Sequence, residues 1–276
     1  MELLVATPGS PIQHARTAKR AVLAVAICAM TVSGLPALGA EHYEGEAYAA
    51  TGGEALYSES HWRYDDDGVA TGLVLYRCPD GSPFARKHIR ATANAQAPDF
   101  DLLDARTGYT EGVRGSGDRR EVYVRTSAGA PERTAALQDH AELVVDAGFD
   151  AFVRDHWDVL NGSATSLAFV VPSRLGAMKF EVSRVGAETV DGRPAQRLRL
   201  ALGTWYGGLL PHIDVVYDNA TRHLLRYEGT SNVRDASARN VVVRIEFPPA
   251  QRDSQATAAD VAAAATVPLT GTCPLS

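Results

Sequence analysis

The sequence has few cysteines and none of the compact motifs that mark common enzymes. Its 276 residues contain three cysteines and no Cys-x-x-Cys pair, which excludes a zinc site built from cysteine alone. The Gly-x-Ser-x-Gly, His-Glu-x-x-His, P-loop and Gly-x-Gly-x-x-Gly signatures are also missing. These absences favour binding over catalysis. They leave open a hydrolase whose carboxylate pair has no recognisable motif.

Metal and nucleic-acid partners are equally poorly supported. The histidines do not fall at the spacings that metal ligands require, so we expect no cofactor and no metal-dependent activity. The formal net charge is -6. An acidic chain lacks the basic surface that phosphate binding needs, and nucleic acid is not expected as a partner.

The N-terminal residues follow the order of a secretory signal peptide. A basic patch at residues 14–20 precedes a mostly apolar run, Ala21–Leu38, which ends in small residues. The run contains too many small and polar residues for a strong membrane anchor, although an uncleaved anchor is the alternative. We therefore expect residues 1–40 to be a signal peptide, a mature start at about Ala40 or Glu41, and a periplasmic or secreted protein.

Two cysteines remain after residue 40, and each precedes a proline: Cys78 and Cys273. Two cysteines in an oxidising compartment are more often paired than free. We predict a disulfide between them. It would tie down residues 251–276, an Ala-rich tail that otherwise reads as a loose segment.

Most of the chain between residues 41 and 250 alternates between apolar and polar residues, which predicts strands with one dry and one wet face. Short turns such as Asp65–Gly68 and Asp218–Thr221 separate them. This pattern predicts a single mainly β (α+β) domain with one large, curved antiparallel sheet, a half-barrel. The predicted strands are 57–64, 69–77, 86–93, 108–114, 119–125, 165–171, 177–185, 195–202, 212–217, 222–228 and 241–247.

Residues 134–160 change to a helical period and predict a central cover of two helices, with Gly148 ending the first. The second presents an apolar stripe. Such a stripe most often packs as core, and the alternative is that it lines an apolar cavity. The stripe consists of Phe149, Phe152, Val153, Trp157 and Leu160.

An apolar loop between two predicted strands also stands out. Trp205, Tyr206, Leu209 and Leu210 surround the pair Gly207-Gly208. Loops usually face water, so an apolar loop is either buried against the helical cover or meets a ligand, a partner or a membrane.

The run from Asp214 to Glu228 (DVVYDNATRHLLRYE) is a Tyr-Asp, turn, Leu hairpin. Together with the signal peptide and the covered, curved sheet, it resembles the periplasmic half-barrel lipid-handling group. That group includes the lipoprotein carrier of the outer-membrane sorting pathway and relatives of uncharacterised function. The resemblance implies a carrier architecture and assigns no site residue.

These observations give one main hypothesis: a non-catalytic exported protein that binds an acyl chain or another apolar ligand between sheet and helices. The expected partners are an apolar small molecule or lipid, together with the membrane surface or an envelope protein. A secreted hydrolase and a structural envelope protein are the alternatives. The predicted ligand-binding residues are Phe149, Phe152, Val153, Trp157, Trp205, Tyr206, Leu209 and Leu210.

Overall fold

The computed structural model describes residues 39–115, 119–203 and 212–275. They form sixteen strands and three α-helices. The strands are β1 Ala40–Ala49, β2 Ala55–Asp66, β3 Val69–Arg77, β4 Pro83–Arg90, β5 Asp99–Asp104, β6 Tyr109–Arg114, β7 Arg120–Arg125, β8 Arg133–Leu137, β9 Leu143–Val144, β10 Thr165–Val171, β11 Gly176–Val190, β12 Arg193–Leu202, β13 Ile213–Asp218, β14 Leu224–Arg234, β15 Asn240–Glu246 and β16 Arg252–Ala256. The helices are α1 Gly148–Asp155, α2 Trp157–Leu160 and α3 Ala258–Thr266.

All sixteen strands belong to one curved sheet, as the alternating pattern predicts. Its order is β8-β7-β6-β5-β4-β3-β2-β1-β15-β14-β13-β12-β11-β10-β9, with β16 pairing to β1 off this path. Two meanders therefore meet at the β1–β15 pair, where Ala47 lies opposite Ile245. Neighbouring strands are antiparallel apart from β9 and β10, which run parallel.

Local turn chemistry explains why the hairpins form where the sequence places them. In the β2–β3 hairpin, Asp67 and Gly68 have φ values of 51° and 83°, the left-handed pair that a tight hairpin turn requires. The Gly68 N–H donates to the Asp65 carboxylate at 2.6 Å. Strand β10 has the predicted bounds, residues 165–171.

The predicted helix over residues 134–148 is wrong. Residues 133–137 form β8, which pairs with β7 so that Leu137 lies opposite Arg120, and Leu143–Val144 form β9. This segment has too few apolar residues to stabilise a helix by packing. Pairing with neighbouring strands provides hydrogen-bond partners for its backbone N–H and C=O groups instead. The second predicted helix is confirmed but is interrupted at His156, which separates α1 from α2.

The concave face of the sheet carries two packed regions. One fills the side formed by β1 to β7 and β15. In the other, α1 and α2 pack their apolar stripe against β10 to β13, where Phe152 and Leu160 meet Leu167 and Leu198. The short helices thus cover only part of the concave face. Among the described residues, no helix combines the length and apolarity needed to cross a membrane.

The C-terminal tail is ordered, contrary to the expectation of a loose segment. Helix α3 packs Val261 and Ala264 on the convex face, against Trp62, Leu73 and Leu75. Its N-terminus has a capping box, in which Thr257 and Asp260 satisfy each other's backbone N–H. This packing needs few large side chains, and so an Ala-rich segment can serve as a helix on a strand surface.

The predicted Cys78–Cys273 disulfide is confirmed, with Cα atoms 5.7 Å apart. It joins the residue after β3 to the chain beyond α3. Past the bond, Leu275 enters the main core and is 1% exposed. The tail is therefore held by packing as well as by the covalent link.

Candidate functional site

A cavity of about 770 Å³ lies between the concave face and α1. Its size falls within the range of small-molecule sites, about 300–1,000 Å³. Much of the wall is apolar and comes from strands on both sides of the β1–β15 pair. The larger apolar residues that line it include Val74, Ile89, Phe100, Phe149, Phe169, Phe180, Leu224, Ile245 and Phe247.

Three phenylalanines form a continuous part of this wall. Phe149, on α1, meets Phe169 of β10 edge to face, with ring centroids 6.3 Å apart. Phe169 in turn meets Phe180 of β11 in the same way, at 6.0 Å. All three are only partly buried by the protein. An apolar ligand in the cavity would cover the remaining surface.

The predicted ligand-binding residues separate into three groups. Phe149 lines the cavity. Phe152, Val153 and Trp157 belong to the core beneath the helices and are at most 6% exposed, so they shape the site from behind without lining it. Trp205, Tyr206, Leu209 and Leu210 lie outside the described residues.

Polar residues also line the cavity, and five of them form what we call the inner polar cluster: Glu59, Lys87, Glu111, Asp146 and Asn232. The Lys87 ammonium donates to both Asp146 carboxylate oxygens at 2.9 Å. The Asn232 amide donates to Asp146 at 3.1 Å and to Glu111 at 2.9 Å. Residues from β2, β4, β6, β14 and the segment before α1 thus converge on one part of the concave face.

Burial and close pairing set the charges of this cluster. Burial disfavours the Lys87 ammonium, but the adjacent Asp146 carboxylate more than offsets it and raises the pKa of Lys87. Burial raises the pKa of Glu111, against the hydrogen bond that it accepts from Tyr109 at 2.5 Å. Asp146 has a φ of 42°, a conformation that costs free energy and that the ion pair helps to maintain.

Glu59 occupies the β2 side of the cluster and has a different partner. Its Oε2 lies 2.8 Å from His61 Nε2. The His61 ring stacks on Tyr43, with centroids 4.6 Å apart. Both rings line the cavity and connect the inner polar cluster to an arginine-rich part of the wall.

We call this part of the wall the arginine clasp. It consists of Arg63, Arg154 and Arg252 with the carboxylates of Glu41 and Asp150, and it links α1 to β1 and β2. Asp150 on α1 pairs with Arg63 at 2.9 Å and with Arg154 at 3.0 Å. Arg252 pairs with Glu41, and despite burial this contact lowers the pKa of Glu41. Three guanidinium groups thus share two carboxylates, and the clasp keeps a net positive charge.

The described part of the site offers no cluster of ligands for a metal ion. Among the residues that the structure describes, no three His, Cys, Asp or Glu side chains come together in a way that could hold one. The carboxyl groups of the inner polar cluster are engaged with Lys87, Asn232, Tyr109 and His61.

Sequence reasoning missed the inner polar cluster. Lys87 lies at an inward position of β4, between Ala85 and Ile89, and Glu111 lies between Tyr109 and Val113 on β6. The sequence did contain a signal for this cluster: a charged residue stands at strand positions where the alternation calls for an apolar one. The partners on β14 and before α1 follow only from the tertiary structure.

Comparison with known proteins gives matches in fold alone. No protein family model matches the sequence, and no curated protein matches it. Solved structures with a similar fold include a β-barrel-like protein of the domain of unknown function DUF1849 from Brucella abortus. It is 7% identical, with 77% of this chain and 99% of that chain covered and a TM-score of 0.41.

Two further similar structures have TM-scores of 0.28. One is a putative outer membrane lipoprotein-sorting protein domain from Vibrio parahaemolyticus, 10% identical, with 76% of this chain and 83% of that chain covered. The other is a DUF1329 family protein from Desulfovibrio piger, 11% identical, with coverages of 78% and 85%. The lipoprotein-sorting group that the sequence resembles thus appears among the structural neighbours. Likeness at this level carries no information about ligand or activity.

Proposed function

We propose that this chain is an exported, non-catalytic binding protein that holds the hydrocarbon chain of an amphiphile in the cavity between its sheet and α1. The observation that carries the proposal is the cavity itself: about 770 Å³, lined on several sides by aromatic and aliphatic side chains. A concave, mostly apolar cavity of this size with a few convergent polar groups is typical of small-molecule binding sites.

The expected affinity follows from the area that the ligand would bury. Each methylene removed from water contributes roughly 0.8 kcal/mol, so ten carbons contribute about 8 kcal/mol before costs. Association and ordering consume at least about 4 kcal/mol of that. A chain of ten to fourteen carbons should therefore bind measurably, and shorter chains should bind progressively less.

Binding can be measured with N-phenyl-1-naphthylamine, a neutral dye that fluoresces in apolar surroundings, and with hydrocarbon-chain competitors that displace it. Phe169→Asp places a charge in the phenylalanine wall and should abolish dye binding. Val159→Asp makes the same kind of change on α2, at a side chain that is 53% exposed and does not line the cavity, and should leave binding intact. Absence of dye binding to the folded wild-type protein would contradict the proposal.

Organic extraction of protein purified from its own cells, followed by mass spectrometry, provides an independent check. An amphiphile recovered from the wild type and lost from Phe169→Asp supports occupancy of the cavity. Equal recovery from both proteins would place the lipid outside the cavity.

The export part of the proposal draws support from the disulfide, since stable disulfides are typical of oxidising compartments. Strand β1 begins at Ala40, which is 1% exposed and packs with Ala256 and Val261. We therefore expect signal cleavage to preserve Ala40. N-terminal sequencing of the protein from its native envelope should read from Ala40, whereas an intact Met1 would contradict cleavage.

A further inference from the structure

Tyr76 presents a free hydroxyl to the cavity. The residue is 3% exposed and lies on the inward face of β3, because its neighbours Leu73 and Leu75 point the other way and pack with α3. It lines the cavity. Its ring contacts Tyr57 and Phe84, but within the described part of the chain its hydroxyl has no hydrogen-bond partner. A hydroxyl that lines a cavity and has no partner within the protein is available to hydrogen-bond a ligand.

The other polar groups of the inner polar cluster are largely satisfied. Asp146 accepts from Lys87 and Asn232, and Glu111 accepts from Tyr109 and Asn232. The exception is Glu59, which is 6% exposed. Its Oε2 meets His61, while its Oε1 has no partner among the residues described. The open hydrogen-bonding positions are therefore one hydroxyl and one carboxylate oxygen.

The charge around these two positions is unfavourable for an anion. Burial, and after it the nearby carboxyl groups of Glu59, Asp146 and Glu111, holds the pKa of Tyr76 well above its usual value. Lys87 is bound by both oxygens of Asp146. A second cation in the lining, Arg234, donates to the Tyr109 hydroxyl and the Ala238 carbonyl, each at 2.8 Å, while its buried Nε has no partner among the described residues. Three carboxyl groups, on Glu59, Glu111 and Asp146, thus face two cations, Lys87 and Arg234, and a cationic donor is attracted to Glu59.

We propose that the ligand of this cavity is a long-chain amphiphile with a protonated amine head group, which donates to Glu59 Oε1 and the Tyr76 hydroxyl oxygen while its chain lies along the phenylalanine wall. The inference rests on the proposed function and specifies its ligand class. The amine donates to both acceptors at the cavity wall and balances the local excess of carboxyl groups. An anionic head in the same place could accept from the Tyr76 hydroxyl, but it would be repelled by Glu59 and would leave Glu59 Oε1 without a donor.

The arginine clasp is the part of the wall where an anionic head would lie instead. Its three guanidinium groups, on Arg63, Arg154 and Arg252, share two carboxylates, Glu41 and Asp150. An amine at Glu59 displaces no contact within the described residues, and the comparison of decylamine with decanoate distinguishes the two head-group positions.

Decylamine, decanol and decanoate have the same chain and differ in head group, and each can compete with N-phenyl-1-naphthylamine for the purified protein at pH 7.5. We expect decylamine to bind at least about tenfold more tightly than decanoate, with decanol between them, since a hydrogen bond to a charged group contributes roughly 1.5–3 kcal/mol. Glu59→Gln should reduce the amine preference to about threefold or less. Tyr76→Phe should weaken decylamine about fivefold with the dye affinity unchanged.

The matched control is Glu142→Gln, which removes an exposed carboxylate away from the cavity and should preserve the amine preference. Equal binding of decylamine and decanoate, tighter binding of decanoate, or an unchanged preference in Glu59→Gln would overturn the amine proposal while leaving the binding function intact. Failure of the dye and all three competitors to bind would overturn both. The variants keep side-chain shape, and circular dichroism confirms that each protein compared is folded.

Discussion

Removal of the Cys78–Cys273 disulfide should destabilise the protein strongly without detaching its tail. The two cysteines are 195 residues apart in sequence. In the chain-entropy model, opening a loop of that length raises the entropy of the unfolded chain by an amount equivalent to about 5 kcal/mol. That is a large share of the roughly 5–15 kcal/mol by which a typical domain is stable.

Other contacts of the tail do not depend on the bond. The Gly271 N–H donates to the Pro83 carbonyl at 2.7 Å, Arg106 donates to the Cys273 carbonyl at 3.1 Å, and Leu275 is buried in the core. The Cys78→Ala/Cys273→Ala protein should therefore remain folded. We expect it to lose about 3–5 kcal/mol, the lower figure allowing for a compact denatured state.

Urea unfolding at equilibrium distinguishes the entropic effect from loss of packing. Without the cross-link the unfolded chain exposes more surface, so the denaturant slope m should rise as the midpoint falls. Leu275→Ala, with the disulfide intact, should cost about 2–5 kcal/mol with m unchanged, because it removes core contacts only. An alanine double variant with wild-type midpoint and slope would refute the reasoning.

Three further substitutions test the interior and the sheet. Lys87→Met should cost about 3–5 kcal/mol by leaving a buried carboxylate unpaired, whereas the same change at the exposed Lys179 should alter the free energy of unfolding by less than about 0.5 kcal/mol. Gly148→Ala should cost about 3 kcal/mol, since its Cβ would lie 2.0 Å from a backbone carbonyl oxygen, whereas Gly162→Ala, with open space around it, should be nearly neutral. Despite burial, pairing with arginine lowers the pKa of Asp214 in the folded protein. The Asp214 carboxylate therefore contributes to the free energy of unfolding above its pKa in the unfolded chain, and this contribution is lost as the pH falls through its pKa in the folded protein. The stability difference between wild type and Asp214→Asn should accordingly shrink between pH 7 and pH 3, and a constant difference would contradict this.

The sequence was informative where local rules determine structure. Alternation and turn residues predicted the hairpins, because a strand with one wet face must alternate. The prediction of a helix over residues 134–148 was wrong, because a few apolar residues at helical spacing are equally compatible with short strands that pair with the edge strands of the sheet. Sequence reasoning also missed β5, whose sequence DFDLLD places aspartates at several positions of a real strand.

The candidate site was less accessible to sequence reasoning. The apolar stripe of α1 was evident, but the side of the helix that meets the cavity depends on how α1 sits against β10. Of the apolar stripe on α1, Phe149 lines the cavity, while Phe152 lies in the core. Glu59 and Tyr76 lie opposite each other in the β2–β3 hairpin, so their proximity follows from hairpin register. That both face the cavity beside Lys87, Glu111 and Asp146 follows only from the tertiary structure.

The position of β1 in the sheet has a consequence for biosynthesis. Ribosomes make β1 before any other strand, yet two of its three partners, β15 and β16, come near the end of the chain. Until they emerge, β2 to β8 can form successive hairpins while β1 keeps one edge unpaired. Such an edge can recruit strands from other molecules, and contacts so distant in sequence form slowly. A nascent chain that stops before Asn240 therefore lacks both strands that cover this edge of β1, and we expect it to aggregate more readily than the complete chain.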